Sequence, residues 1–173
     1  WLACMSVGGG PRAAGAESFP DPLPLAAGTQ VRFAPVAEGR AALGREDRFV
    51  RALSPWDRQA RLRTDREVST KEFLDFVAGE VVPWEAEAQH KVAAALTGVR
   101  ERLRGWSLPL PETILFVLTT GKEEGGAAYC RERTIVLPQP VVAKRPGPAL
   151  EQLLLHELFH LVSAADADLR DRL

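Results

Sequence analysis

Apolar residues recur at helical spacing in the middle of the chain. Phe73 and Val77 lie one helical turn apart. Ser69, followed by Glu72 three residues later, has the form of a capping box, in which the hydroxyl caps a helix and the acid reaches back to the first backbone N–H. Together these features predict a helix over residues 70–82.

The longest helical pattern follows Pro83 and ends before Gly105, a residue type that is common just past a helix C-terminus. This pattern predicts a helix over residues 84–103. A helical segment of one or two turns is also predicted over residues 47–53. The apolar stripe of the long helix advances by three and four positions through Ala88, Val92, Ala95, Leu96, Val99 and Leu103.

The hydrophobic period changes after residue 112. Residues 113–120 form an apolar run rich in β-branched side chains, which predicts a buried strand. A glycine-rich turn at 121–126 leads to a second predicted strand over 128–137, antiparallel to the first. Because Pro138 and Pro140 cannot donate backbone hydrogen bonds, we expect this second strand to end there or to lie at a sheet edge.

A final helix is predicted over residues 149–163, and the order of helices, hairpin and helix is typical of an α+β fold. We expect N-terminal helices, a small antiparallel sheet with an edge strand, and then this last helix. Residues 1–40 are rich in Gly, Pro and Ala and are interpreted as a disordered or irregular leader and linker, with a short extended piece at 29–33. Residues 41–173 are then the folded domain.

Composition narrows the class of protein. Of the 173 residues, 46% are hydrophobic and 26% are charged, which suits one globular domain with its own core. The net charge is −1, and basic residues are interspersed with acids, so there is no electrostatic basis for binding nucleic acid. No apolar run is long enough to predict a transmembrane segment.

The two cysteines, Cys4 and Cys130, are too few for a disulfide framework. The stretch Trp1-Leu2-Ala3-Cys4 resembles the end of a bacterial lipoprotein signal, in which a small residue precedes a lipidated cysteine. This resemblance implies a lipid anchor at Cys4 and a location in the cell envelope, in the periplasm or outside the cell. The alternative is a free cysteine in the leader of a cytoplasmic protein.

The last predicted helix contains the motif H-E-x-x-H at His156, Glu157 and His160. Helical positions four apart are separated by only about 40° around the axis, so both histidines project from one face and can bind one metal ion. Imidazole ligands indicate Zn²⁺. Glu157 lies beside the pair, where its carboxylate can take a proton from a water molecule that the metal has made acidic.

Bulky apolar residues flank the motif, so its polar side chains need partners. The alternative to a metal site is a core helix whose histidines only form hydrogen bonds. The third histidine of the chain, His90, is predicted to be a surface residue of the long helix.

Residues 153–162 resemble the active-site helix of the zincin metallopeptidases, whose H-E-x-x-H motif is flanked by uncharged residues. More closely, residues 115–173 are similar to a group of uncharacterised bacterial H-E-L-F-H proteins that are thought to be zinc metallopeptidases. The resemblance implies metal ligands at His156 and His160 and a general base at Glu157. It also implies an edge strand at 133–139 that holds an extended peptide substrate by strand addition.

The third metal ligand has three candidates. Asp166 stands ten residues after His156, where metzincins have their third ligand. The metzincin motif requires a glycine at the position that Ser163 occupies here. The alternative role for Asp166 is to cap a helix. Cys130 would correspond to the upstream cysteine of peptide deformylases, although their surrounding motif is absent. A gluzincin-like site takes a Glu from a downstream helix, which here would lie beyond Leu173, and we favour this third candidate.

The sequence therefore predicts a zinc-dependent hydrolase, a metallopeptidase acting on a peptide or protein substrate that the strand at 135–137 would align. With a downstream third ligand, the 173 residues alone would be inactive or bind zinc weakly. The competing prediction is a non-catalytic domain, either a degenerate zincin that only binds or a helix with structural histidines. Substrate preference and oligomeric state do not follow from the sequence.

Overall fold

A computed structural model describes residues 22–165, and within them helices cover both faces of an open, five-stranded mixed sheet. The predicted α+β class is confirmed at this level. The strands are β1 Leu23–Ala26, β2 Thr29–Phe33, β3 Thr113–Thr119, β4 Tyr129–Arg131 and β5 Thr134–Pro138. The helices are α1 Val36–Leu43, α2 Arg48–Ala52, α3 Pro55–Leu62, α4 Thr70–Gly79, α5 Ala86–Arg102, α6 Gln139–Lys144 and α7 Gly147–Ala165, with a 3₁₀ turn at Lys122–Glu124.

The strands lie in the order β1-β2-β3-β5-β4. The three central strands β2, β3 and β5 run parallel to one another, whereas β1 and β4 pair antiparallel at the two edges. The register pairs Phe116 of β3 with Phe33 on one side and with Ile135 on the other. The sheet is therefore parallel in the middle and antiparallel at each edge.

Alternate residues of the central strands enter two separate cores, as the two-residue period of a strand requires. Ile114, Phe116 and Leu118 of β3 pack with α5 and α7 on one face. Val117 of β3 and Val136 of β5 pack with α1, α2 and α4 on the other. A strand buried on both faces is apolar throughout, which explains why the run at 113–120 has no polar alternation.

The N-terminal boundary of the folded part differs from the prediction. Residues 22–40, which were interpreted as leader and linker, form β1, β2 and the first half of α1. Leu25 and Val31 are fully buried in the α5 and α7 core, so this segment belongs to the fold despite its prolines and glycines. The short extended piece predicted at 29–33 is confirmed as β2. Residues 1–21, with Cys4, lie outside the described part.

The predicted hairpin is also corrected. Residues 128–137 form two strands, β4 and β5, joined by a tight turn, and β5 runs parallel rather than antiparallel to β3. Glu132 in the turn has a left-handed φ of 49°. Since this residue is neither Gly nor Asn, the sequence carries no turn signal there. The strand does end at Pro138, but β5 is paired on both sides, and the edge strand is β4.

The main helices match the prediction within a few residues. Ser69 caps α4 by accepting a hydrogen bond from the backbone N–H of Glu72, and α5 ends at Arg102. Helix α3 was not predicted; Ser54 is its N-cap and Pro55 its first residue. Within residues 22–165, no helix combines the length and apolarity that a membrane crossing requires.

Candidate functional site

Helix α7 carries the H-E-x-x-H motif and is fixed by its apolar side. Leu150, Leu154, Leu158 and Leu161 recur at three- and four-residue steps and are buried against the core that contains α5 and the sheet. Each of these leucines contributes about 1.5–3 kcal/mol by burial. The opposite side of α7, including the two motif histidines, is exposed. The leucines thus determine which side of α7 faces away from the core.

The two histidine side chains converge. His156 Nε2 and His160 Nε2 are 3.0 Å apart, and their rings are nearly perpendicular, with an interplanar angle of 88°. Two imidazole nitrogens bound to one tetrahedral zinc ion at about 2.0–2.1 Å lie about 3.3 Å apart. The observed separation is that of a hydrogen bond between the two rings, and it is about 0.3 Å shorter than the spacing of two zinc-bound nitrogens. The pair is therefore compatible both with histidines that bond to each other and with two ligands of one ion.

Glu157 lies in a different environment from its neighbours, because only 2% of its surface is exposed. Its contact is Cys130 on the edge strand β4. The thiol Sγ is 3.3 Å from Glu157 Oε2 and 3.1 Å from the backbone oxygen of the same residue. Burial, and then the adjacent Glu157 carboxylate, raises the pKa of the Cys130 thiol well above its ordinary range, so the thiol remains a proton donor.

A cleft of about 910 Å³ opens in front of the motif. His156, Glu157 and His160 form part of its lining on α7, and the whole of β4 and the turn after it form another part. The remaining lining residues come from α2 with its N-cap Asp47, from residues 109–111 and from Ala128. The candidate ligands and the edge strand therefore border one and the same cleft.

One wall of the cleft is built around Arg131 of β4, which is 3% exposed. Its guanidinium donates to Asp47 Oδ2 at 2.8 Å and to the backbone oxygens of Leu43 and Arg45 at 2.8 and 2.7 Å. The side chain thus fastens the segment between α1 and α2 to the edge strand.

An aromatic contact adds to the same wall. The rings of Phe49 and Tyr129 stack with centroids 6.2 Å apart, and the guanidinium of Arg131 lies 5.8 Å from the Phe49 ring. Sequence reasoning missed this wall. The only sequence signal for any part of this wall is Asp47, a residue type that caps helices, at the start of a short helix. Its pairing with Arg131 could not be predicted, because the two residues are 84 positions apart.

The third metal ligand is not found among the described residues, where no group of three His, Cys, Asp or Glu side chains has the arrangement to hold a metal ion. Cys130 reaches the cleft but contacts Glu157 rather than the histidine pair. Asp166 lies outside the described residues. His90, predicted to be a surface residue, lies on α5, and it is not one of the residues that line the cleft.

Comparison of the chain with models of protein families, with curated proteins and with solved structures found no match.

Proposed function

We propose that this protein is a zinc-dependent hydrolase, and specifically a peptidase. The observation that carries the proposal is the convergence of His156 Nε2 and His160 Nε2, 3.0 Å apart, in a cleft that the buried carboxylate of Glu157 also lines. A helix with two merely structural histidines would not require an acid at the intervening position or a cleft in front of the pair. All three residue types match the requirements of metal-assisted hydrolysis.

His156 and His160 would hold the ion through their Nε2 atoms. The third ligand is proposed to be a carboxylate from outside the described residues, with a downstream Glu favoured over Asp166, in a gluzincin-like arrangement. Zinc, when bound, supplies Lewis acidity that polarises a substrate carbonyl and makes a water molecule more acidic.

Glu157 is the proposed general base. Its carboxylate accepts a proton from the water that attacks the scissile carbonyl carbon, and it then gives this proton to the leaving nitrogen as the C–N bond breaks. Because the side chain is almost fully buried, the carboxylate is held in place and shielded from bulk water. The protons balance, since the water supplies the hydroxyl of the product acid and the hydrogen of the product amine.

The substrate strand is assigned to β4 rather than to residues 135–137. One side of Tyr129–Arg131 pairs with β5, and β4 is the last strand of the sheet on that side. Since β4 also lines the cleft, an extended peptide can add to its free backbone groups and pass in front of the histidines. Addition of a peptide strand to a sheet edge supports a peptidase over a hydrolase of small molecules.

The test is peptide hydrolysis by the full-length protein and by its Glu157→Gln variant. The variant should retain zinc and lose hydrolysis by a factor of about 10² or more, because the amide cannot accept the proton. Glu67→Gln, which changes an exposed acid, is the matched control and should leave the rate unchanged. Full activity of Glu157→Gln would overturn the mechanism, as would hydrolysis that a chelator does not affect.

A non-catalytic function has one observation in its favour, namely that the described residues contain only two converging ligands. In that case the cleft would bind a peptide along β4 without cleaving it. Elemental analysis separates the two functions, since the peptidase carries zinc when purified without chelators and the binding domain does not.

A further inference from the structure

Cys130 faces the active-site helix because of the two-residue period of β4. Ala128 and Cys130 pack against the core that includes α7, whereas Tyr129 packs into the core on the opposite face. Arg131 is likewise directed away from α7, toward the segment between α1 and α2. The edge strand therefore places a single polar side chain, the thiol of Cys130, against the motif.

The thiol contacts one residue of that helix through two atoms. Sγ lies 3.1 Å from the backbone oxygen of Glu157 and 3.3 Å from its Oε2, both within the range of sulfur hydrogen bonds. A thiol has one proton to donate, and a carboxylate and a carbonyl can only accept. Cys130 is therefore the donor, and its single proton is shared between the two oxygens of Glu157.

We propose that Cys130 is a positioning residue for the general base: its thiol donates to Glu157 and holds the carboxylate in the orientation that proton transfer requires. This inference rests on the proposed role of Glu157. It also gives the strand that would bind the substrate a direct link to the base, since the backbone of Cys130 belongs to the edge that a peptide would pair with.

Two observations separate this role from simple packing. Glu157 is 2% exposed, so water cannot replace the lost donor freely if the thiol is removed. The pKa of the Cys130 thiol is raised, chiefly by burial, which keeps the donor proton in place at neutral pH. A residue that only filled space would not need a donor at this position.

The first test measures the contact itself and requires no activity. In a Cys4→Ser background, Cys130 is the only cysteine among the 173 residues, and its S–H stretching band can be recorded by infrared spectroscopy. The band should lie below that of a free thiol and should move upward in Glu157→Gln, because a neutral amide is a weaker acceptor than a carboxylate. A band that Glu157→Gln leaves unchanged would overturn the proposal, whether it lies at the free-thiol position or is lowered by the backbone oxygen alone.

The second test measures the consequence for the reaction. Cys130→Ala should lower kcat about tenfold while KM and zinc content stay unchanged, because the base loses its orientation but the ligands remain. Cys130→Ser keeps a donor and should retain most of the rate. Equal rates in Cys130→Ala and the unmodified protein would contradict the positioning role.

The two proposals can fail separately. If the unmodified protein hydrolyses no peptide, the proposed function fails, and the S–H band still decides whether the thiol donates to Glu157. If hydrolysis depends on zinc and on Glu157 but both Cys130 variants are fully active, the peptidase stands and the positioning role is refuted.

Discussion

At the scale of the residue, the three motif side chains lie in different environments although they are close in sequence. His156 and His160 are exposed to the cleft, where an ion can reach them, and Glu157 is buried beside Cys130. A buried carboxylate is costly unless something donates to it, so the thiol contact contributes to keeping Glu157 in this position. The motif alone predicts the ligands and the base, but not the partner of the base.

Glu123 is a second buried acid, and its hydrogen bonding is incomplete. Glu123 is fully buried; Thr119 donates to its Oε1 at 2.5 Å, and its Oε2 has no hydrogen-bond partner among the described residues. Burial is the main reason that the pKa of Glu123 is raised from 4.5. A raised pKa in the folded state stabilises the protein below the unfolded pKa, and this stabilisation is lost as the pH rises through the folded pKa.

We therefore expect Glu123→Gln to increase the free energy of unfolding at pH 8 by about 1 kcal/mol, because the neutral amide avoids burying a charge. At pH 4, where the acid is already protonated, the gain should largely disappear. Urea denaturation at the two pH values measures both effects. A substitution that is equally destabilising at pH 4 and pH 8 would show that burial of the charge is not the dominant cost.

Among the helices and strands, the sequence predicted those whose hydrophobic periodicity is visible within a short stretch of chain. Helices α4, α5 and α7 and strand β3 have enough residues of one period to be recognised. The break between β4 and β5 was missed because Glu132 takes a left-handed conformation without being a turn-type residue. The edge position was assigned to the wrong strand, since strand order depends on pairing across the sheet rather than on the residues of one strand.

Among the contacts between helices and strands, we expect the one that joins β4 to the segment between α1 and α2 to have the largest effect on stability. Arg131 and Asp47 form a buried ion pair at 2.8 Å, with side-chain exposures of 3% and 7%. Arg131→Met should lower the free energy of unfolding by about 3–5 kcal/mol, because Asp47 is left buried without its counter-ion. Denaturant unfolding measures this loss.

Arg133→Met is the matched control, since Arg133 is an exposed residue just beyond the same strand. It should change stability by less than about 0.5 kcal/mol. Equal effects of the two arginine substitutions would mean that the buried pair does not hold the cleft wall in place.

At the scale of the whole molecule, the candidate site is assembled from distant parts of the chain. The cleft is lined by α2, the segment at 109–111, strand β4 and helix α7, and these meet because the sheet order places β4 at an edge beside α7. The sequence predicted the motif residues because their spacing lies within one helix. It could not predict the Phe49 and Tyr129 wall, which depends on tertiary packing between residues far apart in sequence.

Zinc binding by the full-length protein is the most direct test of the proposed zinc site at His156 and His160. Competition titration with a chromogenic chelator should show one zinc ion per chain. The affinity should fall by a factor of about 10² or more in the double variant His156→Ala/His160→Ala, which leaves the site without its imidazole ligands.

His90→Ala is the control, because it removes the one histidine of the 173 residues that lies outside the motif. His90 is not among the residues that line the cleft, and the variant should bind zinc like the unmodified protein. We expect a loss of zinc binding that is confined to the double variant. Zinc binding of equal strength in all three proteins, or none in the unmodified protein, would contradict it.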